Sequence, residues 1–554
     1  MPSLKVKRFL PLVLFFLSYQ AVNAQSWQDT VNTITKLFDR YKPDNPGCQL
    51  SISRNGKIIF SKAWGLADIE HHVPYTTETI TEAGSISKQF TAAAILILEQ
   101  QGKLSLEDDV HKFIPELPNY GVVIRLKNLL HHTSGIREWS HLEAITGWPR
   151  TTKAYTNEDV LAMLCRQEKL NNIPGTEYIY SNSNYLLLAT IVERVSGMKL
   201  ADFTAEYIFK PAGMLHTSWR DNFKKVVPNR GIAYIKRGDH YEINMPNESV
   251  YGPGALLTTT EDLLKWADFF LNNKLGSPGL LARQLAIEPL PGEAKANYAA
   301  GLVIDKFRGV DMISHTGQTA SYVGIVESVP TLKLSIAWLS NTTAFKDSLF
   351  VGITAINDLF IKGGVPETAE KTSRASGITP GYTKKYAGWY RNVQTNRGTQ
   401  IISRHDTLWL ENTPLIPINE TDFGYKQSAI RFIHSGGFIL TTTAKTVLTF
   451  TKESPVKISP GYLKALTGTY YSKETESSFK IILKDGNLML EQNYLRDVVL
   501  APAYKDAFNF SLDIDSDTQP VPANILFETG NKKAGIACQV SMNDARKIKF
   551  VKLQ

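Results

Sequence analysis

The chain has 554 residues, of which 43% are hydrophobic and 21% charged, and its formal net charge is +8. This length and composition predict about two to four domains with sizeable cores. No dense run of lysine and arginine is interleaved with aromatic residues, so we expect no nucleic-acid partner. Cys48, Cys165 and Cys538 lie far apart in the sequence. They argue against a disulfide framework or a cysteine zinc site and leave room for at most one bridge.

The N-terminus combines a basic segment, a short apolar run and small residues. The basic segment ends at Arg8, the apolar run covers residues 9–17, and small residues lead up to Ala24. This pattern is typical of a secretory signal peptide, and the run is too short to span the ~30 Å hydrocarbon core of a bilayer. We therefore predict a signal peptide over residues 1–24, cleaved after Ala24, and a periplasmic or secreted chain without a stable membrane anchor.

Strand and helix patterns follow along residues 25–362. Two β-prone runs flank Asn55-Gly56, a strong hairpin signal. Apolar periodicity predicts helices over residues 86–101, 183–196 and 260–273, then strands over 299–304, 310–314, 322–327 and 332–340, and a last helix over 346–361. Strands at both ends with helices between them predict one antiparallel sheet built from the two termini and flanked by helices, an α+β fold.

The last part of the chain repeats itself. Residues 363–379 are polar and aperiodic, as is typical of a linker. Beyond them, Pro380-Gly381-Tyr382 recurs as Pro460-Gly461-Tyr462, and further identities continue at the same offset of 80. Two copies of one small domain are the simplest explanation. Both copies are rich in short alternating runs, so we predict two β-barrels or sandwiches, over 380–455 and 456–554.

A serine stands three residues before a lysine where the first long helix begins. Residues i and i+3 share one face of a helix, so Lys88 can accept the proton that makes Ser85 a nucleophile. Backbone N–H groups at the helix start can stabilise an oxyanion. The motif S-x-x-K is common by itself, since serine often caps helices and lysine is often exposed. Its three other occurrences here do not begin a predicted helix.

Two further motifs follow in order. Tyr180-Ser181-Asn182 lies in a loop that leads into a predicted helix, and His315-Thr316-Gly317 lies among the predicted strands. Together with Ser85-Ile86-Ser87-Lys88 they resemble the S-x-x-K, Y-x-N and H-x-G motifs of class C serine β-lactamases, penicillin-binding D,D-peptidases and related D-aminopeptidases and esterases. Residues 129–135 and 251–259 also resemble that family, and the resemblance covers about residues 40–362.

The resemblance implies a β-lactamase-like fold and a role for each motif residue. Ser85 would form an acyl-enzyme, with Lys88 and Tyr180, the latter as phenolate, as its proton acceptors. Mutual contact and burial would lower the pKa of both acceptors. Substrate binding would fall to Asn182, which would hydrogen-bond the acyl amide, and to His315, Gly317 and Gln318. The N–H groups of Ser85 and Gln318 would form the oxyanion hole.

His315 stands where β-lactamases of this family usually have lysine. Histidine is mostly neutral at pH 7, so we expect weaker recognition of a substrate carboxylate and less β-lactam hydrolysis. The histidine form is similar to the D-aminopeptidase and esterase branch, some of whose D-aminopeptidases carry two lipocalin-like, eight-stranded barrels. We therefore predict an exported serine hydrolase that cleaves a small amide, peptide or ester without a metal or organic cofactor. The alternative is a non-catalytic binding protein for cell-wall peptide fragments. Substrate identity and oligomeric state stay open.

Overall fold

The structure is a computed structural model that describes residues 27–148, 150, 152–277, 279–292, 296–361, 382–434, 436–442, 446–456, 458–514, 520–529 and 536–553. The predicted signal peptide and the predicted linker lie outside these residues. Within the described ranges, no helix combines the length and apolarity needed to cross a membrane. Cys48, Cys165 and Cys538 are all described, and each is a free thiol.

Helices and strands are numbered along the chain. The helices of the first domain are α1 (27–37), α2 (Lys88–Gln100), α3 (Leu126–Leu130), α4 (Trp139–Ile145), α5 (Asn157–Cys165), α6 (Asn182–Ser196), α7 (Leu200–Thr204), α8 (Lys210–Ala212), α9 (Thr260–Leu271), α10 (Gly279–Leu285) and α11 (Lys346–Phe360). Its strands are β1 (Cys48–Arg54), β2 (Lys57–Trp64), β3 (Leu66–Asp68), β4 (Val73–Pro74), β5 (Thr81–Glu82), β6 (Ser218–Trp219), β7 (Tyr234–Arg237), β8 (His240–Ile243), β9 (Leu256–Thr258), β10 (Val303–Phe307), β11 (Val310–Thr319), β12 (Tyr322–Val329) and β13 (Leu334–Ser340).

One antiparallel sheet joins the two ends of this domain. Its described strands run in the order β10-β11-β12-β13-β1-β2, and β1 pairs with β13 from Cys48 opposite Ser340 to Arg54 opposite Leu334. The hairpin between β1 and β2 turns at Asn55 and Gly56, which both have positive φ, 52° and 72°. Positive φ at both positions is the geometry that favours Asn-Gly. The predicted α+β fold is confirmed.

Helix α2 lies in the core of the first domain and carries the serine-lysine motif at its start. A 3₁₀ turn, Gly84–Ser87, leads directly into it, and every residue from Lys88 to Leu98 is buried. The helix packs against α6 and α10. Because α2 is predominantly apolar, it fits in the interior, and its first residue, Lys88, is buried as a consequence.

The two C-terminal repeats have one topology. The first contains β14 (Gly388–Asn392), β15 (Gly398–Arg404), β16 (Thr407–Leu410), β17 (Thr413–Pro414), β18 (Ile416–Pro417), β19 (Asp422–Tyr425), β20 (Ser428–Phe432), β21 (Phe438–Thr441) and β22 (Val447–Glu453). The second contains α12 (Pro460–Leu466), β23 (Gly468–Ser472), β24 (Ser477–Lys484), β25 (Asn487–Gln492), β26 (Leu495–Val499), β27 (Ala501–Pro502), β28 (Ala507–Leu512), β29 (Val521–Glu528), β30 (Ala537–Met542) and β31 (Ile548–Lys552).

Each repeat is a nearly closed β-barrel. The described sheets run β17-β16-β15-β14-β22-β21-β20-β19-β18 and β26-β25-β24-β23-β31-β30-β29-β28-β27. Each order begins and ends with the two halves of one segment, which is interrupted at buried Leu415 in the first barrel and at buried Leu500 in the second. Counting that segment once gives eight strands, as the resemblance implies. The predicted pair of small all-β domains is confirmed.

The repeated glycines and tyrosines have the same contacts in both barrels. Gly388 and Gly468 adopt φ of 144° and 142°, and each lies against the lysine of its last strand. Tyr390 and Tyr470 each donate a 2.8 Å hydrogen bond to the carbonyl of the residue four positions earlier. A side chain at either glycine would meet that lysine, so the repeated residues mark repeated packing.

The second barrel is docked on the first domain beside α4. Arg137, just before α4, donates to Glu474 of the barrel, and both side chains are buried. Arg546 of the barrel donates two hydrogen bonds, of 2.9 and 2.8 Å, to Glu177 of the first domain. The backbone N–H of Glu138 donates to the carbonyl of Asp544 at 2.8 Å. These contacts hold the barrel against the segments that precede α4 and α6.

Candidate active site

Ser85 and Lys88 meet at the start of α2. Lys88 Nζ lies 3.0 Å from Ser85 Oγ and 2.7 Å from both Asn182 Oδ1 and the carbonyl oxygen of Pro253. A neutral amine has two N–H donors and one lone pair. Since the amide and carbonyl oxygens only accept, they take the two donors. The lone pair then faces the Ser85 hydroxyl, as a proton acceptor requires.

The environment of Lys88 favours that neutral form. Burial lowers the pKa of Lys88 to about 7, with the carboxylate of Glu138 opposing the shift and the guanidinium of Arg150 adding to it. Desolvation disfavours the charged form of any buried group. At neutral pH a substantial fraction of Lys88 is therefore unprotonated and able to act as a base.

Tyr180 is close to this pair but is not a phenolate. Its ring centroid lies 4.8 Å from Lys88 Nζ, and burial raises the pKa of Tyr180, with a hydrogen bond to Ser85 opposing the rise. The prediction that contact and burial lower both pKa values is wrong for tyrosine, because burial favours the neutral phenol.

His132 supports the loop that carries Tyr180. The His132 ring centroid lies 4.3 Å from the Tyr180 ring centroid. His132 Nδ1 accepts from the Ser181 N–H at 3.2 Å, which holds the loop in place.

Strand β11 runs directly against the Gly84–Ser87 turn. A Cβ at Gly84 would lie 2.5 Å from the backbone N of Gln318, and one at Gly317 would overlap the carbonyl of Ala83. This close approach requires glycine on both sides. It places the backbone N–H groups of Ser85 and Gln318 at the same junction, beside the serine hydroxyl, where an oxyanion would form.

His315 is buried on β11 and carries no charge at neutral pH. Burial and the charge of Lys88 lower the pKa of His315 to about 3. Its Nδ1 is 2.5 Å from the Thr316 carbonyl oxygen, which only accepts, so Nδ1 carries the proton. Its Nε2 then accepts from the Tyr298 hydroxyl at 3.0 Å. The expected neutrality of this histidine agrees with its surroundings.

An open groove of about 410 Å³ leads to the serine. Three tyrosines and part of strand β11 line it. Its lining residues are Ser85, Tyr178, Tyr180, Tyr298, Val303, His315, Thr316, Gly317, Gln318, Val323 and Lys346. Lys346, the first residue of α11, donates from Nζ to Gln318 Oε1 at 2.5 Å. The groove therefore has a cation on the side of the oxyanion donors, although its histidine is neutral.

Comparison with known proteins identifies the fold. A model of the family described as Beta-lactamase matches residues 33–359. The chain belongs to the β-lactamase family. This membership, together with the Ser85-Lys88 pair, supports a serine hydrolase.

Relatives of this β-lactamase-family chain include penicillin-binding proteins. Penicillin-binding protein 4* of Bacillus subtilis (strain 168) is 29% identical over 403 residues, which cover 67% of this chain and 86% of that protein. The octameric penicillin-binding protein homologue from Pyrococcus abyssi has a TM-score of 0.53 and 19% identity, covering 96% of this chain and 99% of that one. D-amino acid amidase from Ochrobactrum anthropi SV3 has a TM-score of 0.50 and 18% identity, covering 59% of this chain and 98% of that one. The two solved structures show the likeness of the fold.

The structure brings every predicted site residue of this β-lactamase-family chain to one place. Ser85, Lys88 and Asn182 are in direct contact, and the other predicted residues line the groove. Sequence reasoning missed Glu138, Tyr298 and Lys346. No short motif marks these three, because they approach the serine only through the fold. Apolar periodicity puts Lys346 at the start of a predicted helix. Nothing in the sequence indicates that this helix begins at the groove.

Proposed function

We propose that the chain is an exported serine hydrolase that cleaves a small amide, peptide or ester through an acyl-enzyme on Ser85. The observation that carries the proposal is the buried Lys88 amine, which lies 3.0 Å from Ser85 Oγ with both of its N–H donors engaged elsewhere. A binding protein has no need for a base beside a serine at the mouth of a groove. Export is inferred from the sequence of residues 1–24.

The first half of the reaction acylates the serine. Neutral Lys88 accepts the hydroxyl proton while Ser85 Oγ forms a bond with the substrate carbonyl carbon. The N–H groups of Ser85 and Gln318 stabilise the negative charge on the former carbonyl oxygen. As the tetrahedral intermediate collapses, the C–N or C–O bond breaks. The proton on Lys88 passes to the leaving amine or alcohol through the Tyr180 hydroxyl, which stays neutral.

The second half releases the acid. A water molecule attacks the acyl carbon, gives its proton to Lys88, and the ester bond to Ser85 Oγ breaks as the serine regains a proton. Asn182 holds the substrate throughout. Its Nδ2 has two hydrogens, of which one is donated to Glu138 and the other suits the acyl amide oxygen. The carboxylic acid product then leaves the groove.

The groove suggests the order in which substrates are tried. Three tyrosines, Tyr178, Tyr180 and Tyr298, offer aromatic surface to an apolar side chain, and Lys346 offers a charge to an acidic group. The likeness to a D-amino acid amidase supports testing amides of aromatic D-amino acids first, then short esters and β-lactams.

The test is turnover of this substrate panel by the purified mature protein and by Ser85→Ala. We expect kcat/KM to fall by at least about a thousandfold in the variant, because the nucleophile is removed. Ser477→Ala, which alters an S-x-x-K serine on β24 of the second barrel, is the matched control and keeps full activity. Ligand binding without turnover of any substrate would instead support a binding protein.

A further inference from the structure

We propose that Glu138 is a positioning residue of the active site, acting through Asn182 and Lys88, and that the second barrel holds it in place. This role rests on the proposed hydrolase function and goes beyond the three sequence motifs. Glu138 lies just before α4, far in sequence from each motif residue, and its side chain is buried.

The Glu138 carboxylate organises the start of α6. Its Oε2 accepts from the backbone N–H of Asn182 at 2.5 Å and from the Ser181 hydroxyl at 3.0 Å. Its Oε1 accepts from Asn182 Nδ2 at 3.1 Å and from the Ser140 hydroxyl at 2.8 Å. A buried carboxylate is stable where donors surround it, and a negative charge at a helix N-terminus is favoured. The carboxylate thus fixes both the backbone and the side chain of Asn182.

The hydrogen bond to Asn182 also decides which way its amide points. A carboxylate only accepts, so it takes the NH₂ group of Asn182 and turns Oδ1 toward Lys88. Asn182 Oδ1 then takes one N–H of Lys88, at 2.7 Å. With the Pro253 carbonyl taking the other, the lone pair of neutral Lys88 faces Ser85. Without Glu138 the amide of Asn182 is free to turn, and the lone pair of Lys88 is no longer directed at Ser85.

The charge of Glu138 acts on Lys88 as well. Titratable and charged groups face Lys88 from several elements, namely Glu138, Arg150, Tyr180, Tyr185, His132 and His315. The two histidines are neutral because burial holds their pKa values below the ordinary one, and burial keeps the two tyrosines protonated. Glu138 is the anion that counters burial and keeps the pKa of Lys88 from falling further.

The second barrel fixes the backbone of Glu138. The carbonyl of Asp544, in the turn between β30 and β31, accepts from the Glu138 N–H at 2.8 Å and from Asn171 Nδ2 at 2.8 Å. The neighbouring Arg137 donates to Glu474 and, at 2.8 Å, to the carbonyl of Arg546, both in the same barrel. The barrel is therefore part of the support of the active site.

The test is the rate at which a fluorophosphonate labels Ser85, followed by intact mass from pH 5 to pH 10, in wild type, Glu138→Gln and Glu138→Asp. Glu138→Gln keeps the size but removes the charge. We expect labelling to slow by about tenfold to a hundredfold, because a small misplacement of a catalytic group lowers the rate by that order. We also expect the pH midpoint of labelling to move below that of wild type, because Lys88 loses its proton more readily without the anion. Glu138→Asp restores part of the rate and of the midpoint.

The outcomes separate this role from a purely structural one. If folded Glu138→Gln labels at the wild-type rate with the wild-type midpoint, the positioning role is wrong. If Glu138→Gln does not fold, Glu138→Asp takes its place, because the shorter carboxylate keeps the charge but displaces Asn182. Labelling of Glu138→Asp at the wild-type rate would then show that the positioning role is wrong. A loss of thermal stability with unchanged labelling also overturns the proposal. Wild type that is never labelled on Ser85 contradicts the proposed function itself. Glu107→Gln, which neutralises an exposed glutamate paired with Lys127, is the control and labels at the wild-type rate with the wild-type midpoint.

Discussion

The guanidinium of Arg137 and the carboxylate of Glu474 form an ion pair across two domains, and their side chains are only 1% and 5% exposed. Arg137 precedes Glu138 in the first domain, and Glu474 belongs to the second barrel. Buried charges of this kind are tolerated only when they are paired. The barrel is therefore fastened to the catalytic domain next to the active site.

Removing one partner of this pair is expected to destabilise the protein. Arg137→Ala leaves the Glu474 carboxylate buried without its cation, and such changes cost about 3–5 kcal/mol. The free energy of unfolding, measured with urea, checks this. The control is Lys484→Ala, which breaks an exposed pair with Asp497 in the same barrel and should change stability little. Equal effects of the two variants would contradict the account of a buried junction.

The pH dependence of hydrolysis is expected to follow Lys88. Below its pKa of about 7 the amine is protonated, so kcat/KM falls about tenfold for each pH unit toward acid. Above pH 7 the rate reaches a plateau that extends past pH 10, because the pKa of Tyr180 is raised by burial. Steady-state rates from pH 5 to pH 10.5 test both the decline toward acid and the plateau above pH 7. A decline centred near pH 9 would show that Tyr180 ionises there and would contradict the raised pKa of its phenol.

A methyl group at position 317 is expected to disturb the oxyanion site. In Gly317→Ala the new Cβ overlaps the carbonyl of Ala83, so β11 shifts away from the turn that holds Ser85. Loss of one oxyanion donor costs about a hundredfold to a thousandfold in kcat, and overpacking costs about 1–3 kcal/mol of stability. Kinetics and thermal melting measure the two effects.

The matched control for this variant is Gly461→Ala. Gly461 lies in helix α12, where a Cβ would meet nothing within 4 Å. Alanine in place of an exposed helical glycine is stabilising by about 0.5–1 kcal/mol. Normal activity and unchanged stability of Gly317→Ala would contradict the close contact between β11 and the turn.

Lys346 is expected to select substrates that carry an acidic group. It stands in the groove beside Gln318, and a hydrogen bond to a charged group contributes about 1.5–3 kcal/mol. Lys346→Gln should raise KM about tenfold or more for an amide with a free carboxylate, while the uncharged analogue keeps its KM. The control is Lys306→Gln, an exposed lysine on β10. A similar change in KM for both analogues would rule out charge recognition by Lys346.

Several features could be predicted from the sequence because local residues determine them. Asn55 and Gly56 fix a hairpin through their own backbone preferences, and Ser85 and Lys88 share a face by their spacing. The repeated Gly388 and Gly468 keep the same contacts in both barrels. Closure of each barrel through one interrupted segment has no local signal, because it depends on the pairing of strands at opposite ends of the sheet.

Other features depend on the fold. Glu138 is read from the sequence only as a residue before a helix, and its contact with Asn182 arises from tertiary packing. The direction of the Tyr180 pKa was predicted wrongly, because burial and not contact with Lys88 dominates it. Lys346 reaches the groove from α11, a different element from the strand that carries His315, which spacing along the chain does not reveal.

The measurement that tests the central claim most directly is the intact mass of the mature protein after exposure to a serine-reactive fluorophosphonate, for wild type and Ser85→Ala. An activated Ser85 predicts a single adduct on wild type and none on the variant. Equal labelling of both proteins, or no adduct on either while both are folded, would contradict the proposal that Ser85 is an activated nucleophile.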